Sequence, residues 1–134
     1  FESGLLGISE TTSDMRDLLD REAQDARAAE AVALFCYQIK KWIGGFAAAL
    51  GGLDTLVFSG GVGANAAVVR ARICDGLGFL GLTLDEQRNA ANDGVISRAA
   101  SPVAVRVIPT DEERMIAEMI SANLDPDRKA SIAS

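Results

Sequence analysis

The spacing of apolar residues divides the chain into segments of different period. Val32, Phe35, Cys36, Ile39, Ile43, Phe46, Ala47 and Leu50 recur at i, i+3, i+4 and i+7. That spacing predicts one long helix over about 22–50, ended by the pair Gly51-Gly52. Its first half is amphipathic and charged. Its second half, WIGGFAAAL, is apolar all round. Such a segment is expected to be buried on several sides or to lie in a subunit interface. Gly44 and Gly45 predict close packing or a kink there. A shorter helix is expected before it, from about Ser13 to Asp20. Ser13 or Thr12 would be its N-cap, and Asp14 suits its first turn. Residues 1–11 read as a short extended piece and a loop.

The period then changes. DTLVFS, residues 54–59, is a short run of β-branched and aromatic residues, expected as a buried parallel strand. FSGGVGAN, residues 58–65, carries three glycines in four positions and reads as a loop. A helix is expected from about Ala66 to Leu77, with Asn65 as N-cap and Val69, Ile73 and Leu77 as its core stripe. GFLGLTLD reads as a loop with room for a short strand, and DEQRNAAND as a helical turn and loop. GVIS and VAVRVIP predict two strands, the second alternating from Val103 to Ile108. A last helix is expected from about Thr110 to Ala122, with Met115, Ile116, Met119 and Ile120 turned inward. The tail after Asn123 is polar and expected to fray. This order of elements is an α/β architecture, helices packed on a sheet.

Composition narrows the function. The 134 residues suffice for one domain with a real core, and 49% are hydrophobic. Net charge is −6 with no basic stripe, which argues against nucleic acid and against an anionic membrane surface. Cys36 and Cys74 fall in apolar helical patterns and read as reduced core residues. The longest apolar stretch, Trp42 to Leu53, is too short to span a bilayer, and no signal peptide is visible. A cytoplasmic protein is the expectation. The chain has no histidine, so histidine acid–base chemistry and histidine metal ligands are excluded within it. It opens on Phe1, and FESGLLGIS reads like the middle of a longer protein.

Three stretches could carry chemistry. In FSGGVGAN, glycines permit positive φ and close approach of a ligand to backbone N–H groups. The plainer reading is a strand–helix turn. The spacing Gly61-x-Gly63-x-x-Ala66, with Asp85 or Glu86 about 24 residues on, also satisfies a dinucleotide-binding fingerprint. An NAD-dependent oxidoreductase is therefore an alternative. Against it, some fifty mostly helical residues precede the strand and no further βα repeats follow. In PTDEERM, Thr110 and Glu113 have the spacing of a capping box. That leaves Glu112 able to face a cation. In SDMRDL, Asp14 and Arg16 are either solvated charges or a pair in which the arginine stacks on a base or meets a phosphate.

Taken in order, SGLLGIS, SDMRDL, LVFSGGVGAN, GFLGL-LD, GVIS and V-VIPTDEE resemble the C-terminal third of acetate kinases and propionate kinases, the acetokinase family. The resemblance runs from about Ser3 to Ile120. It implies a ribonuclease-H-like domain of the actin-like ATPase, acetate and sugar kinase superfamily, here residues 1–134 as part of the C-terminal nucleotide-binding domain. It implies ATP and Mg²⁺ as cofactors, acetate or propionate as substrate, and a homodimer through this domain. Asp14, Met15 and Arg16 would contact the adenosine end of ATP. Gly60, Gly61, Val62, Gly63 and Asn65 would line the nucleotide site, and Glu112 would help place the metal. The catalytic groups would lie upstream, which leaves the isolated chain inactive. Ala64 departs from the family, which usually has a glutamate there. A non-catalytic dimerisation module is the remaining alternative.

Overall fold

The computed structural model describes residues 2–7 and 12–121. Within them lie a strand β1 (Glu2–Gly7) and two helices, α1 (Thr12–Arg21) and α2 (Ala26–Leu50). Strand β2 (Thr55–Ser59) leads into α3 (Gly60–Asn65), α4 (Ala67–Cys74) and α5 (Glu86–Ala90). Strands β3 (Ala104–Ile108) and β4 (Ile116–Ser121) complete the described part.

The four strands form one mixed sheet in the order β1-β4-β2-β3. β2 and β3 run parallel, whereas β4 lies between β1 and β2 and is antiparallel to both. The register places Gly4, Met119, Leu56 and Val105 in one row, and Leu6, Ala117, Phe58 and Val107 in the next. Paired residues share a face of the sheet. Leu56, Phe58, Val105, Val107, Ala117 and Met119 are all buried, so this face carries the core. It joins Val32, Cys36, Ile39, Ile43 and Ala47 of α2 and Val69 and Ile73 of α4. The opposite face is open in places: Leu5 and Arg106 are exposed.

Helix α2 begins later than the periodicity suggests. Asp25 is its N-cap and accepts from the Arg27 N–H at 2.9 Å. Gly51, at φ 74°, ends it as expected, with Gly52 N–H donating to the Ala47 carbonyl. The helix runs unbroken through Gly44 and Gly45, and among the described residues nothing beyond the helix's own adjoining backbone lies within 4 Å of where their Cβ atoms would be. The close approach is at Gly4 instead, where a Cβ would stand 2.5 Å from the Phe46 ring. The apolar second half of α2 buries Ile43, Ala47 and Leu50 while Gly45, Ala48 and Ala49 remain exposed. It is therefore not buried on all sides.

Four further expectations change. Thr12 and Ser13 both lie inside α1, and the loop expected before it lies outside the described residues. The helix expected over 66–77 is α4 alone, Ala67–Cys74, because Asp75 turns to an extended conformation. GVIS contributes only two isolated bridges, Leu84 to Ser97 and Val95 to Arg106. The last helix is a strand. Residues 116–121 alternate in burial, with Ala117, Met119 and Ser121 buried and Ile116, Glu118 and Ile120 half-buried. Apolar residues at 115, 116, 119 and 120 fit a helix face, but the slot between β1 and β2 supplies ladder hydrogen bonds on both sides. The expected frayed tail lies outside the described residues.

Candidate nucleotide site

FSGGVGAN is not a loop. Its residues 60–65 form the helix α3 directly after β2. Three glycines are poor helix formers, so neighbours must hold the turn. Gly60 starts it at φ 82°, a conformation that favours glycine. A Cβ there would meet the Arg114 carbonyl oxygen at 1.8 Å. Gly61 N–H donates to the Glu112 carbonyl at 2.6 Å. Ser59 contributes no side-chain cap, so the Glu112 carbonyl satisfies one of the N–H groups that a helix start leaves unpaired. The turn expected to offer free N–H groups thus has one already taken.

Asn65 closes α3 rather than capping the next helix. Its Nδ2 donates to the Gly61 carbonyl at 3.1 Å, and Ala66 separates α3 from α4 without a side-chain cap. Gly63 is buried with its would-be Cβ 3.4–3.5 Å from Phe58 and Met115, so α3 packs close on β2. Its carbonyl accepts from Nη1 of the buried Arg70 at 2.8 Å.

Helices α1 and α3 meet around a small cleft of about 130 Å³. It is lined by Met15, Arg16, Leu19 and Asp20 on α1, by Gly61, Val62 and Asn65 on α3, and by Ala66. Met15 and Val62 are almost fully buried and make its apolar floor, while Arg16 and Asn65 are exposed at its rim. Five residues singled out from the sequence, Met15, Arg16, Gly61, Val62 and Asn65, therefore converge on one place. Asp14, Gly60 and Gly63 do not line the cleft; Gly60 and Gly63 shape the turn from behind. Ala66 entered only as the end of the dinucleotide fingerprint, and Leu19, Asp20 and Arg70 were not anticipated. Leu19 and Asp20 lie one helical turn on from Met15 and Arg16, a signal that spacing alone supplies.

Glu112 reaches the site through its backbone. Its carboxylate is held by Arg114, with Oε1 3.0 Å from Nε and Oε2 3.1 Å from Nη2. The Arg114 side chain and backbone N–H together lower its pKa from 4.5 to about 2. The expected Thr110–Glu113 capping box is absent, since no helix starts here. Thr110 Oγ1 instead accepts from the Glu112 N–H at 3.3 Å. Among the described residues no three His, Cys, Asp or Glu side chains converge as a metal cluster. Among the described residues a cation at Glu112 would therefore meet fewer than three such side chains, and Mg²⁺ is commonly held by one or two carboxylates with waters and phosphate oxygens.

Asp85, the candidate ribose acid of the dinucleotide reading, caps α5 by accepting from the Arg88 N–H at 3.0 Å. A larger open cleft of about 540 Å³ lies beside Arg72, Asp75, Thr83 and Glu86. Arg72, the one cation among its lining residues, is already bidentate with Glu22 at 2.6 and 2.8 Å. The smaller cleft is the better candidate, because among the described residues its arginine, Arg16, has no such pairing. Both cysteines are buried and reduced, and burial raises the Cys74 pKa to about 12.

The fold and cleft define the class: a mixed α/β domain in which a strand feeds a glycine turn packed against a helix carrying an exposed arginine. The family model of the acetokinase family matches residues 1–118, and the chain belongs to that family. It is 49% identical over 136 residues to the acetate kinase of Syntrophobacter fumaroxidans, covering 98% of this chain and 32% of that protein. It is 47% identical over 127 residues to the acetate kinase of Bacteroides fragilis, covering 92% and 32%. The chain thus spans about a third of the length of these curated relatives. Among solved structures it is similar to Porphyromonas gingivalis acetate kinase, with a TM-score of 0.69 and 42% identity over 77% of this chain and 27% of that one. It is also similar to a propionate kinase from Francisella tularensis, with a TM-score of 0.67 and 35% identity over 75% and 26%. Its mixed α/β fold is therefore one shared with acetate kinases, members of the actin-like ATPase superfamily. The NAD-dependent alternative finds no support in these relatives. No helix of the described residues is long and apolar enough to cross a membrane.

Proposed function

We propose that residues 1–134 form the adenosine-binding part of an ATP-dependent kinase that converts acetate or a similar short-chain carboxylate to acetyl phosphate, reversibly. The observation that carries this is the convergence of Arg16 with Gly61, Val62 and Asn65 around one apolar-floored cleft. A flat base fits between an apolar floor and a guanidinium, which stacks on aromatic planes. Family membership supports ATP with a divalent metal as the cofactors in general. The names of the relatives support acetate or propionate as substrate.

In this reading Met15 and Val62 pack against the base and Arg16 covers it. Asn65 keeps the α3 turn closed through the Gly61 carbonyl. Glu112 would hold the Mg²⁺ that offsets phosphate charge, after release from Arg114. Phosphoryl transfer depends chiefly on positioning and charge neutralisation. This chain contributes to the nucleotide side of both. The groups that hold the acyl substrate and carry the transfer lie elsewhere in this reading, so the isolated 134 residues turn nothing over. The exposed Gly45, Ala48 and Ala49 strip on α2 supports a homodimer contact. A cytoplasmic location fits the acidic sequence.

The test is a chimera. This chain replaces the matching third of the Syntrophobacter fumaroxidans acetate kinase, and acetyl phosphate is trapped as the hydroxamate. Acetate- and ATP-dependent product is expected, and Glu112→Ala should lower kcat and alter the Mg²⁺ dependence. A folded chimera that binds NADH and forms no acyl phosphate would favour the oxidoreductase reading.

A further inference from the structure

Arg70 is 0% exposed, and among the described residues every hydrogen-bond partner it has is electrically neutral. Nε donates to Asn89 Oδ1, Nη1 to the Gly63 carbonyl and Nη2 to the Asn89 carbonyl, each at 2.8 Å. Nη2 also donates to Asn92 Oδ1 at 2.5 Å. The asparagines are themselves fixed. Asn89 is buried and donates from Nδ2 to the Ala67 carbonyl at 2.9 Å. Asn92 sits at φ 53°, the one non-glycine residue with positive φ among those described, and its N–H donates to the Asn89 carbonyl at 3.1 Å.

This is an unusual way to bury a guanidinium. Buried charges are ordinarily paired, because an opposite charge offsets the lost hydration. Burial here acts against the charged form and lowers the Arg70 pKa, with no carboxylate to counter it. At position 92 an aspartate would accept the same bond and stabilise the cation better, whereas at position 89 the amide is also needed to donate to Ala67. Stability alone does not account for a neutral cage. What the cage does is keep the arginine's full positive charge unneutralised while fixing where it points. It points at Gly63, which lies between Val62 and Asn65 in the turn that lines the cleft.

We propose that Arg70 is a positioning residue of the nucleotide cleft, fastening the α3 turn through the Gly63 carbonyl and holding an uncompensated positive charge beneath it that favours the phosphates. The proposal rests on the nucleotide reading above. It assigns Asn89 and Asn92 a purpose the sequence did not reveal: they satisfy the guanidinium without cancelling it.

The discriminating variant is Asn92→Asp. It keeps the acceptor oxygen and adds a charge, and aspartate tolerates positive φ. Asn89→Asp is the second variant, in which the lost Nδ2 donation to the Ala67 carbonyl should lower Tm. Binding of Mg·ADP and of adenosine to the 134-residue chain is measured by calorimetry, and thermal stability without ligand alongside. The expected result is an unchanged or raised Tm for Asn92→Asp and, in both variants, a Kd for Mg·ADP weakened about threefold to fivefold, the effect of one partly screened charge. Adenosine, which has no phosphate, should bind the variant as it binds the wild type. Equal Mg·ADP affinity in wild type and both variants would overturn the proposal and leave the nucleotide reading standing. A wild type that binds neither ligand would overturn the reading itself, and the proposal with it.

Discussion

The backbone N–H of Gly61 donates to the backbone carbonyl of Glu112 at 2.6 Å. This bond joins two stretches about fifty residues apart that look unrelated in the sequence, the glycine turn and PTDEERM. It also brings Glu112 against the glycine turn although its carboxylate is turned to Arg114. Gly60 is the hinge of the arrangement. Gly60→Ala should destabilise the chain by about 3 kcal/mol or more, from left-handed strain and the overlap with the Arg114 carbonyl. Urea denaturation checks this. A loss under about 1 kcal/mol would mean that residues 110–114 move away freely.

The second prediction concerns β4. In the strand, Ala117 faces the buried core row with Phe58, whereas Ile120 is half-buried on the other face. Ala117→Asp should cost about 3 kcal/mol or more, since the carboxylate would be desolvated without a partner. Ile120→Thr should cost about 1 kcal/mol. A helix over 110–122 with Met115, Ile116, Met119 and Ile120 inward would reverse that order. Paired denaturation curves of the two variants decide between them.

The third follows from the Glu112–Arg114 pair. The folded pKa of Glu112 is depressed from 4.5 to about 2, mainly by the Arg114 side chain. Its stabilisation is therefore present above pH 4.5 and is lost as pH falls from 4.5 through about 2. The Tm difference between wild type and Glu112→Gln should be largest near pH 6 and vanish near pH 2. The pair is exposed, so added salt should shrink the difference throughout.

The fourth concerns the thiols. Burial raises Cys74 from 9.0 to about 12, so the folded chain keeps it neutral. Stability from this group is whole below pH 9 and falls as pH rises from 9 towards 12. At pH 8 a thiol reagent should label Cys36 and Cys74 only as fast as the chain unfolds. Labelling within the mixing time, in the absence of denaturant, would show that neither thiol is held inside.

Much of this was legible in the sequence. The i, i+3, i+4, i+7 stripe located α2, and Thr55–Ser59 was visible because its centre, Leu56 to Phe58, is apolar and buried, although the strand is parallel only to β3 and antiparallel to β4. Composition showed the glycine turn, but not that it is helical. Propensity argues against a helix there, and tertiary bonds from Glu112 and Arg70 override it. Residues 110–121 were misread for a related reason. Their local pattern fits a helix, while the strand depends on partners far away in sequence, at Glu2–Gly7 and Thr55–Ser59. Met15, Arg16 and Asn65 were found through motifs. Arg70 was not, because an arginine beside the Val69–Ile73 stripe looks like a solvated charge until Asn89 and Asn92 are brought to it.

The central claim is that Arg16 and the α3 turn form one nucleotide cleft. Calorimetric titration of Mg·ADP into the 134-residue chain, wild type and Arg16→Ala, tests it most directly. The account predicts saturable binding at one site, weakened about tenfold by loss of the stacking guanidinium. Absence of binding by the folded wild type, or equal affinity in Arg16→Ala, would contradict it.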